Sequence, residues 1–408
     1  MPVTFQRARL DNGLEIVGET DPAAHTASVG FFFRTGARDE TPRLMGVSHF
    51  LEHMMFKGTA KRNAQQVNND FDAIGASHNA YTSAEMTAYY AHVLPEHHAA
   101  ATEILADILR PALRVEDFNE ERGVILEEIA MYEDQPFWVL YERAMELFYG
   151  AHPLAHRVLG TRETIQRLER DEMATYFRDR YSADNTTVAV AGRVDFGAFV
   201  AQVRELCSHW EATRPARDFP AWNLADRDET ITLKNASRHY LIMGMPAPHV
   251  NDPWRYESTL LAHVLGDADG SRLHWALIET GLAEEASAQY DGRDGVGEFL
   301  VSAVCDPKDA AEVEGICRRE LAAVLGGLRD DDLLRARSKI ATSVTLAGER
   351  PAGRMNRLGT IFAYRGEYCP LEEELRRIDA ITIDRLHEYA RRWPLVPRMV
   401  ARLRPESD

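Results

Sequence analysis

Two histidines and a glutamate lie close together in the stretch His49-Phe50-Leu51-Glu52-His53. His49 and His53 are four positions apart, so an α-helix would place their side chains only about 40° apart, with the Glu52 carboxylate beside them. Neutral imidazoles at this spacing bind zinc, and in the H-x-x-E-H pattern the carboxylate lies beside the metal-bound water. Core histidines hydrogen-bonded to a nearby acid would give the same pattern, so these residues alone leave both interpretations open.

Two further acids interrupt an apolar stripe in E-E-R-G-V-I-L-E-E-I. Glu121 and Glu128 are seven positions apart and share a helical face with Ile125. A buried carboxylate is costly unless it is paired or metal-bound, so a metal or histidine partner would explain them. Glu127 points about 100° away and fits a solvated face. The alternative is that the whole acidic group lies at the surface.

Both groups need helices to position them. The segment Leu44–Phe56 is apolar on nearly every side and ends at Lys57-Gly58, which predicts a short buried helix. The segment Glu116–Glu133 predicts a second helix that stops near Pro136. Strand signals in this half of the chain cover Gly13–Val17, Ala27–Phe33, Asn79–Thr82, Thr87–Leu94 and Asn185–Gly192.

The second half resembles a weak copy of the first. A Pro-containing stretch between Trp210 and Glu229 is the best linker candidate. Beyond it, a shift of 211 residues superposes Ala27–Ala37 on Arg238–Pro248. Under this shift the three residues of the first motif fall near Leu260, His263 and Val264. The second copy has therefore lost most of the chemistry of the first.

Composition narrows the class of protein. The chain has 408 residues, of which 45% are hydrophobic and 27% charged, typical of a globular protein with two to four domains. Its net charge of −17 disfavours nucleic acid and anionic lipid as partners and favours cationic or unstructured peptides. We therefore expect neither a nucleic-acid partner nor a membrane partner.

Cysteine usage and the N-terminus bear on the compartment. No C-x-x-C pair occurs among the four cysteines, so neither a disulfide framework nor a cysteine zinc site is indicated, and a reducing compartment is the default. The N-terminus lacks a basic start and a continuous apolar stretch. We expect a cytoplasmic location, or a periplasmic one if a leader has been removed.

Taken together, these motifs resemble the pitrilysin, insulinase and mitochondrial processing peptidase family of zinc metallopeptidases, over nearly the whole chain. The stretch G-V-S-H-F-L-E-H-M-M-F-K-G-T matches the family signature, and 74 residues separate His53 from Glu128 in E-R-G-V-I-L-E-E-I, as the family pattern requires. Three other stretches also look like family sequence: N-A-Y-T-S-A-E from Asn79, H-P-L-A-H-R-V-L-G-T from His152, and G-S-R-L from Gly270.

The resemblance implies a role for each motif residue. His49, His53 and Glu128 would bind one Zn²⁺ per chain, and Glu52 would be the general base. Glu121 would orient His53 or Glu128.

The resemblance also implies a substrate-binding strand and a fold. Asn79, Ala80 and Tyr81 would lie on an edge strand that pairs with an extended peptide, and an ordinary structural strand is the alternative. The fold class would be α+β, the LuxS and processing-peptidase type, with two homologous lobes that each pack a mostly antiparallel sheet against helices. We place the zinc-binding catalytic lobe at residues 1–215 and a similar lobe without metal ligands at residues 226–408.

One departure from the family pattern concerns the second lobe. Active members with a complete site carry an Arg and a Tyr seven residues apart that reach the substrate and the oxyanion. The aligned residues here are Leu277 and Glu284. Tyr290, Arg293 and Arg272 do not have the required spacing, so we interpret the pair as absent.

The resemblance therefore implies a zinc-dependent metalloendopeptidase that hydrolyses extended peptides inside a chamber. The chain has the length of the half-length branch of the family, in which two subunits face each other. We expect a heterodimer in which a sequence-related subunit supplies the Arg and Tyr. The alternative is a non-catalytic scaffold subunit, like the core proteins of a respiratory complex that share this fold.

Overall fold

The computed structural model describes residues 3–406 and divides them into two compact units. The first unit contains residues 3–129, 156–218 and 345–369, and the second contains residues 130–155, 219–344 and 370–406. Each unit is built around one β-sheet.

The sheet of the first unit has six strands in the order β1-β2-β6-β3-β5-β4. All neighbouring strands are antiparallel except β2 and β6, which are parallel. The strands are β1 Thr4–Arg9, β2 Glu15–Thr20, β3 Ala27–Phe33, β4 Ser77–Thr82, β5 Thr87–Val93 and β6 Thr186–Gly192. Strand β4 is therefore an edge strand, which places the predicted peptide-binding segment at the border of the sheet.

The helices of this unit are α1 Val47–Met55, α2 Ala64–Ala73, α3 His98–Ile108, α4 Val115–Glu133, α6 Arg162–Arg167, α7 Arg170–Arg180, α8 Phe196–Cys207 and α12 Pro351–Arg365. The last turn of α4 belongs to the second unit. Helices α1 and α4 are the two helices that the sequence predicts for the candidate metal ligands, with boundaries within three residues of the prediction.

Both faces of the sheet in the first unit are covered, which explains why β3 is a continuous apolar run. Phe31 and Phe33 pack on one face with the cores of α1 and α3, whereas Phe32 packs on the other face under α12. Gly359 of α12 lies so close to Phe32 that a Cβ atom there would stand 2.1 Å from the ring. Only glycine allows this approach of α12 to the sheet.

The sheet of the second unit has five strands in the order β7-β11-β8-β10-β9, antiparallel except for the parallel pair β7 and β11. The strands are β7 Arg227–Leu233, β8 His239–Pro246, β9 Glu285–Gly292, β10 Gly297–Cys305 and β11 Met399–Pro405. The helices are α5 Pro136–Tyr149, α9 Arg255–Gly266, α10 Ala310–Ala323, α11 Asp330–Glu349, α13 Leu371–Asp379 and α14 Ile383–Arg392. The last residues of α11 belong to the first unit.

The predicted α+β fold with two lobes is confirmed, but the units are not contiguous in sequence as the boundaries 1–215 and 226–408 assume. Helix α5, from the first half of the chain, packs on strands β8 and β11 of the second sheet. Helix α12, from the second half, packs on β2, β3 and β6 of the first sheet. Each sheet is thus covered on one face by a helix from the other half of the sequence.

No helix within residues 3–406 combines the length and the apolar character that a membrane crossing requires.

Candidate metal centre

Helix α1 carries the H-x-x-E-H motif, and its first turn is held by a buried carboxylate. Gly46 precedes the helix with φ +94°, and a Cβ atom there would lie 2.6 Å from the carbonyl oxygen of Leu159. The Glu40 carboxylate accepts hydrogen bonds from the backbone N–H groups of Gly46 and Ser48, each at 2.7 Å. These bonds satisfy donors that a helix start leaves unpaired, so they fix where α1 begins.

The structure brings His49, His53 and Glu128 together although Glu128 is distant in sequence. The Oε2 atom of Glu128 lies 3.7 Å from Nε2 of His49 and 3.6 Å from Nε2 of His53. The two imidazole rings have centroids 4.7 Å apart. One nitrogen or oxygen atom from each of the three residues therefore points to a common point.

The spacing of these atoms suits zinc. Ligands at about 2.0–2.1 Å from a tetrahedral zinc ion lie roughly 3.4 Å from one another, close to the observed separations. Among the described residues this is the only cluster of three or more His, Cys, Asp or Glu side chains whose ligand atoms all lie within 4.8 Å of one another. Two imidazoles and one carboxylate, with a fourth position left for water, form the donor set of a catalytic zinc site.

Glu121 lies directly behind the cluster. Its Oε1 atom is 2.8 Å from Nδ1 of His53, and its side chain is only 4% exposed. The ammonium group of Lys57 forms an ion pair with the other oxygen of Glu121. Glu121 therefore contacts His53 rather than Glu128. It can accept a hydrogen bond from the Nδ1–H group of His53, which leaves Nε2 facing the cluster.

Glu52 is half-buried and lies beside the cluster on α1. The hydroxyl of Thr82, at the end of β4, donates a hydrogen bond to Oε2 of Glu52 at 2.5 Å. Its Oε1 atom makes no hydrogen bond to any residue in the range 3–406. One oxygen of this carboxylate is therefore held and the other remains available to a substrate or a water molecule.

Burial and neighbouring charges shift the pKa values of these groups in different directions. Burial, with a smaller effect of His53, lowers the pKa of His49 to about 3, so His49 is a neutral imidazole at neutral pH. Burial also lowers the pKa of His53, but the hydrogen bond to Glu121 and the nearby carboxylates outweigh it and the pKa is raised overall. Burial raises the pKa of both Glu52 and Glu128.

Glu121 behaves differently from the other two glutamates. Burial would raise the pKa of its carboxyl group, but hydrogen bonds from His53 and Lys57 outweigh burial and lower the pKa. Glu121 is therefore an ionised acceptor in the metal-free protein.

Side chains of the edge strand β4 alternate between the two faces of the first sheet. Ala80 packs with the core on the α1 side, whereas Tyr81 packs with the core under α12, where its hydroxyl lies 3.5 Å from Asn356. The side-chain oxygen of Asn79 accepts the backbone N–H of Ala80 at 2.8 Å. Since the ring of Tyr81 faces away from α1, the segment can offer an extended peptide mainly its backbone.

The candidate substitutes for the missing Arg and Tyr are all bonded within the second unit. Arg293 is paired with buried Glu298 at 2.8 Å, and Arg272 with Glu320 at 2.7 Å. The Tyr290 hydroxyl donates to a backbone carbonyl at 2.8 Å. None of the three has its polar group free.

Lys57 contacts Glu121 and Thr82 contacts Glu52. Glu40 binds the backbone at the start of α1. None of these three residues was assigned a role from the sequence. Lys57 lies four residues after His53, the spacing at which side chains share a helical face, and Thr82 directly follows the predicted peptide-binding segment. These two positions in the sequence are signals from which a contact with the motif could have been predicted. Nothing in the sequence connects Glu40 to the start of α1.

Two family models match successive segments of the chain. The family model described as insulinase, peptidase family M16, matches residues 15–162, which include the whole His49–His53–Glu128 cluster. The model described as the peptidase M16 inactive domain matches residues 167–340. An uncharacterized zinc protease of Streptomyces coelicolor is 36% identical over 95% of this chain and 87% of its own length. The chain belongs to peptidase family M16, and the family resemblance predicted from its motifs is confirmed.

Solved structures show the same two-lobed fold. A protease from Helicobacter pylori aligns with a TM-score of 0.92 at 18% identity, covering 99% of this chain and all of that one. A chain of Complex III2 from Candida albicans aligns with a TM-score of 0.86 at 17% identity, covering 98% of this chain and 95% of that one. At these identities the similarity is one of fold alone, which the protease and the chain of Complex III2 share.

Proposed function

We propose that this protein is a zinc-dependent metalloendopeptidase that hydrolyses extended peptides. The observation that carries the proposal is the convergence of His49, His53 and Glu128, with the Glu52 carboxylate beside them. The relative from Streptomyces coelicolor, itself named a zinc protease, supports the same class of activity. The scaffold alternative has the fold in its favour, but a scaffold has no need of three converging ligands.

Each residue has a defined part in the proposed reaction. Nε2 of His49, Nε2 of His53 and a carboxylate oxygen of Glu128 would hold the zinc, which supplies Lewis-acid chemistry by polarising the scissile carbonyl and lowering the pKa of water towards about 7. Oε1 of Glu52 takes the proton of the attacking water and later delivers it to the leaving amine. Glu121 keeps the His53 ring in place by accepting at Nδ1.

We infer that the peptide binds along strand β4. An edge strand offers unpaired backbone groups to an extended chain, which would add a strand to the sheet. Asn79, Ala80 and Tyr81 lie on this edge, and Thr82 at its end contacts Glu52. A peptide paired with this strand would therefore run beside the proposed base.

We further infer that a second, sequence-related subunit completes the site and encloses the peptide in a chamber. Support comes from the second unit, where the aligned residues are the buried Leu277 and the ion-paired Glu284. Neither can stabilise an oxyanion as an Arg and a Tyr do in a complete site.

Metal analysis combined with cleavage of unstructured, fluorescence-quenched peptides tests the proposed activity. We expect about one zinc per chain, cleavage that a chelator abolishes, and recovery when zinc is added back. Glu52→Gln should keep the zinc but lower kcat by about 10²- to 10⁴-fold, because the proton acceptor is lost. The matched control is Glu127→Gln on the exposed face of α4, which should keep both zinc and activity.

Two results would contradict the proposal. A protein that takes up no zinc and cleaves no peptide, alone or with its partner subunit, would favour the scaffold alternative. Full turnover by the Glu52→Gln variant would remove Glu52 from the role of base.

A further inference from the structure

Glu52 and Thr82 belong to two different elements that meet at the candidate metal centre. Glu52 lies in the middle of α1, and Thr82 is the last residue of the edge strand β4, which packs against α1. Their side chains are joined by a hydrogen bond of 2.5 Å from the Thr82 hydroxyl to Oε2 of Glu52. Both residues are half-buried, so this bond is partly shielded from water.

A distance of 2.5 Å is typical of a hydroxyl that donates to a charged carboxylate, which is among the stronger hydrogen bonds in proteins. The side chain of a glutamate rotates about three bonds, and a strong bond at one oxygen restricts them. Since Oε2 is engaged by Thr82, Oε1 is the oxygen left to exchange a proton.

The direction of the Thr82 side chain follows from the strand. Residues two apart on a strand point to the same face, and Ala80 packs with the core on the α1 side. Thr82 therefore faces α1, whereas Tyr81 faces α12. The hydroxyl is placed by the backbone of the strand that is proposed to bind the peptide.

We propose that Thr82 is a positioning residue for Glu52, fixing Oε2 so that Oε1 is presented for proton transfer. The proposal rests on the proposed peptidase function and adds that strand β4 aligns the base as well as the peptide. Because the same strand would bind the peptide and hold the base, the distance between the scissile bond and Glu52 would be fixed.

Thr82→Val tests this role because it removes the hydroxyl but keeps the shape of the side chain. We expect kcat to fall about 10- to 100-fold, with KM changed less than about twofold, since the peptide still binds but the base is less well aligned. Zinc content should match the wild-type protein, and the melting temperature should fall no further than in the control variant Thr87→Val. Thr82→Ser retains a hydroxyl and should restore most of kcat.

Thr87→Val is the matched control. Thr87 lies opposite Thr82 on the neighbouring strand β5, and its hydroxyl donates to the backbone carbonyl of Thr35 at 2.9 Å instead of to Glu52. This variant loses a buried hydrogen bond of similar kind, so its melting temperature should fall while kcat is retained. A second comparison uses the Glu52→Gln background, where Thr82→Val should have no further effect on kcat if Thr82 acts through Glu52.

Three results would overturn the proposal: a wild-type kcat in Thr82→Val, an equal loss in Thr82→Val and Thr82→Ser, or a loss that follows zinc content or melting temperature. Crystal structures of the two variants give a readout that does not depend on activity. The Glu52 carboxylate should move in Thr82→Val and stay in place in Thr82→Ser. If the wild-type protein has no peptidase activity, the proposed function fails, and the crystal structures still show whether Thr82 holds Glu52.

Discussion

At the scale of single residues, the orientation of His53 in the candidate metal centre depends on Glu121 and, through it, on Lys57. Lys57 pairs with one oxygen of Glu121, and the other oxygen of Glu121 meets Nδ1 of His53. The imidazole can present Nε2 to a metal only when its ring is held at this angle. The ammonium group of Lys57 thus acts on a proposed ligand through one intermediate residue.

Lys57→Met should therefore weaken zinc binding. With the ammonium group gone, the Glu121 carboxylate is less well fixed and holds His53 less firmly, so we expect the Kd for zinc to rise about 10- to 100-fold. Competition with a fluorescent zinc chelator measures this change. Lys61→Met serves as the control, because the Lys61 side chain is 67% exposed and pairs with Glu103 away from the centre. Equal affinity in Lys57→Met and the wild-type protein would show that Lys57 has no such role.

Residue type and spacing in the sequence pointed to His49 and His53 as metal ligands, whereas the choice of Glu128 as the third ligand rested on the family resemblance. The sequence did not predict the contacts of Lys57 or Thr82 at this site. Their roles arise from side chains that meet only after α1, α4 and β4 have packed together. Spacing along one helix cannot show such contacts, and a lysine or a threonine has many other common roles.

At the scale of secondary-structure elements, the start of helix α1 depends on Glu40. This carboxyl group is buried, and burial raises its pKa to about 8, although the backbone N–H groups of Ser48 and Gly46 act in the opposite direction. The folded protein therefore holds this proton more tightly than the unfolded chain, in which the pKa is near 4.5. The resulting stabilisation is complete below about pH 4.5 and is lost as the pH rises towards about 8.

Glu40→Gln, which cannot titrate, should remove this pH dependence. Between pH 5 and pH 8.5 the free energy of unfolding of the wild-type protein should fall relative to that of the variant. The fall should be about 1.4 kcal/mol for each unit by which folding raises the pKa of Glu40. Urea unfolding of both proteins in excess chelator measures the difference without a contribution from bound metal. Parallel pH profiles for the two proteins would show that Glu40 does not titrate in this range.

Helix α12 illustrates what the pattern of elements could not show. The sequence predicted α1, α4 and strands β2 to β6 to within about three residues, because their apolar periodicity and stop signals are local, but it missed strand β1. Periodicity shows that a helix has an apolar face but not which sheet that face covers. The exchange of α5 and α12 between the two sheets was therefore not predictable from the chain, and the contiguous boundaries missed it.

Two glycine-to-alanine substitutions in the first unit should have opposite effects on stability, because one glycine is in close contact with the sheet and the other is not. Gly359→Ala places a methyl group against the ring of Phe32 and should destabilise the protein by about 1–3 kcal/mol. Gly123→Ala on the exposed face of α4 places a methyl group with no atom within 4 Å and should stabilise the protein by about 0.5–1 kcal/mol. Thermal unfolding of the two variants distinguishes the effects. A neutral Gly359→Ala variant would mean that α12 can move away from the sheet at little cost.

At the scale of the whole molecule, the two units differ in chemical content although each packs helices on a mostly antiparallel sheet. The first contains the candidate metal centre, and the second holds no comparable cluster within the described residues. In the sequence, Leu260, His263 and Val264 stand where the motif would lie in the second copy at a shift of 211 residues. A peptidase site with ligands and a base but without oxyanion donors would be chemically incomplete, and this is the reason for the partner subunit that we propose.

We therefore expect the isolated chain to cleave peptides slowly and to gain activity with a sequence-related subunit that carries the Arg and Tyr. Removing a single oxyanion donor costs about 10²- to 10³-fold in kcat, so the gain on mixing should be of this order. Turnover measured across a titration with the partner tests the expectation, with zinc content held constant. A partner in which the Arg and Tyr are replaced by Ala and Phe should bind without activating.

The chain itself provides the complementary test, because Arg272 and Arg293 could replace the partner only if they left Glu320 and Glu298. Arg272→Ala should leave the activity of the mixture unchanged. It is preferable to a change at Arg293, whose partner Glu298 is fully buried and would lose its charge compensation. An isolated chain that is as fast as any mixture, together with loss of that activity in Arg272→Ala, would mean that the second unit of this chain completes the site itself.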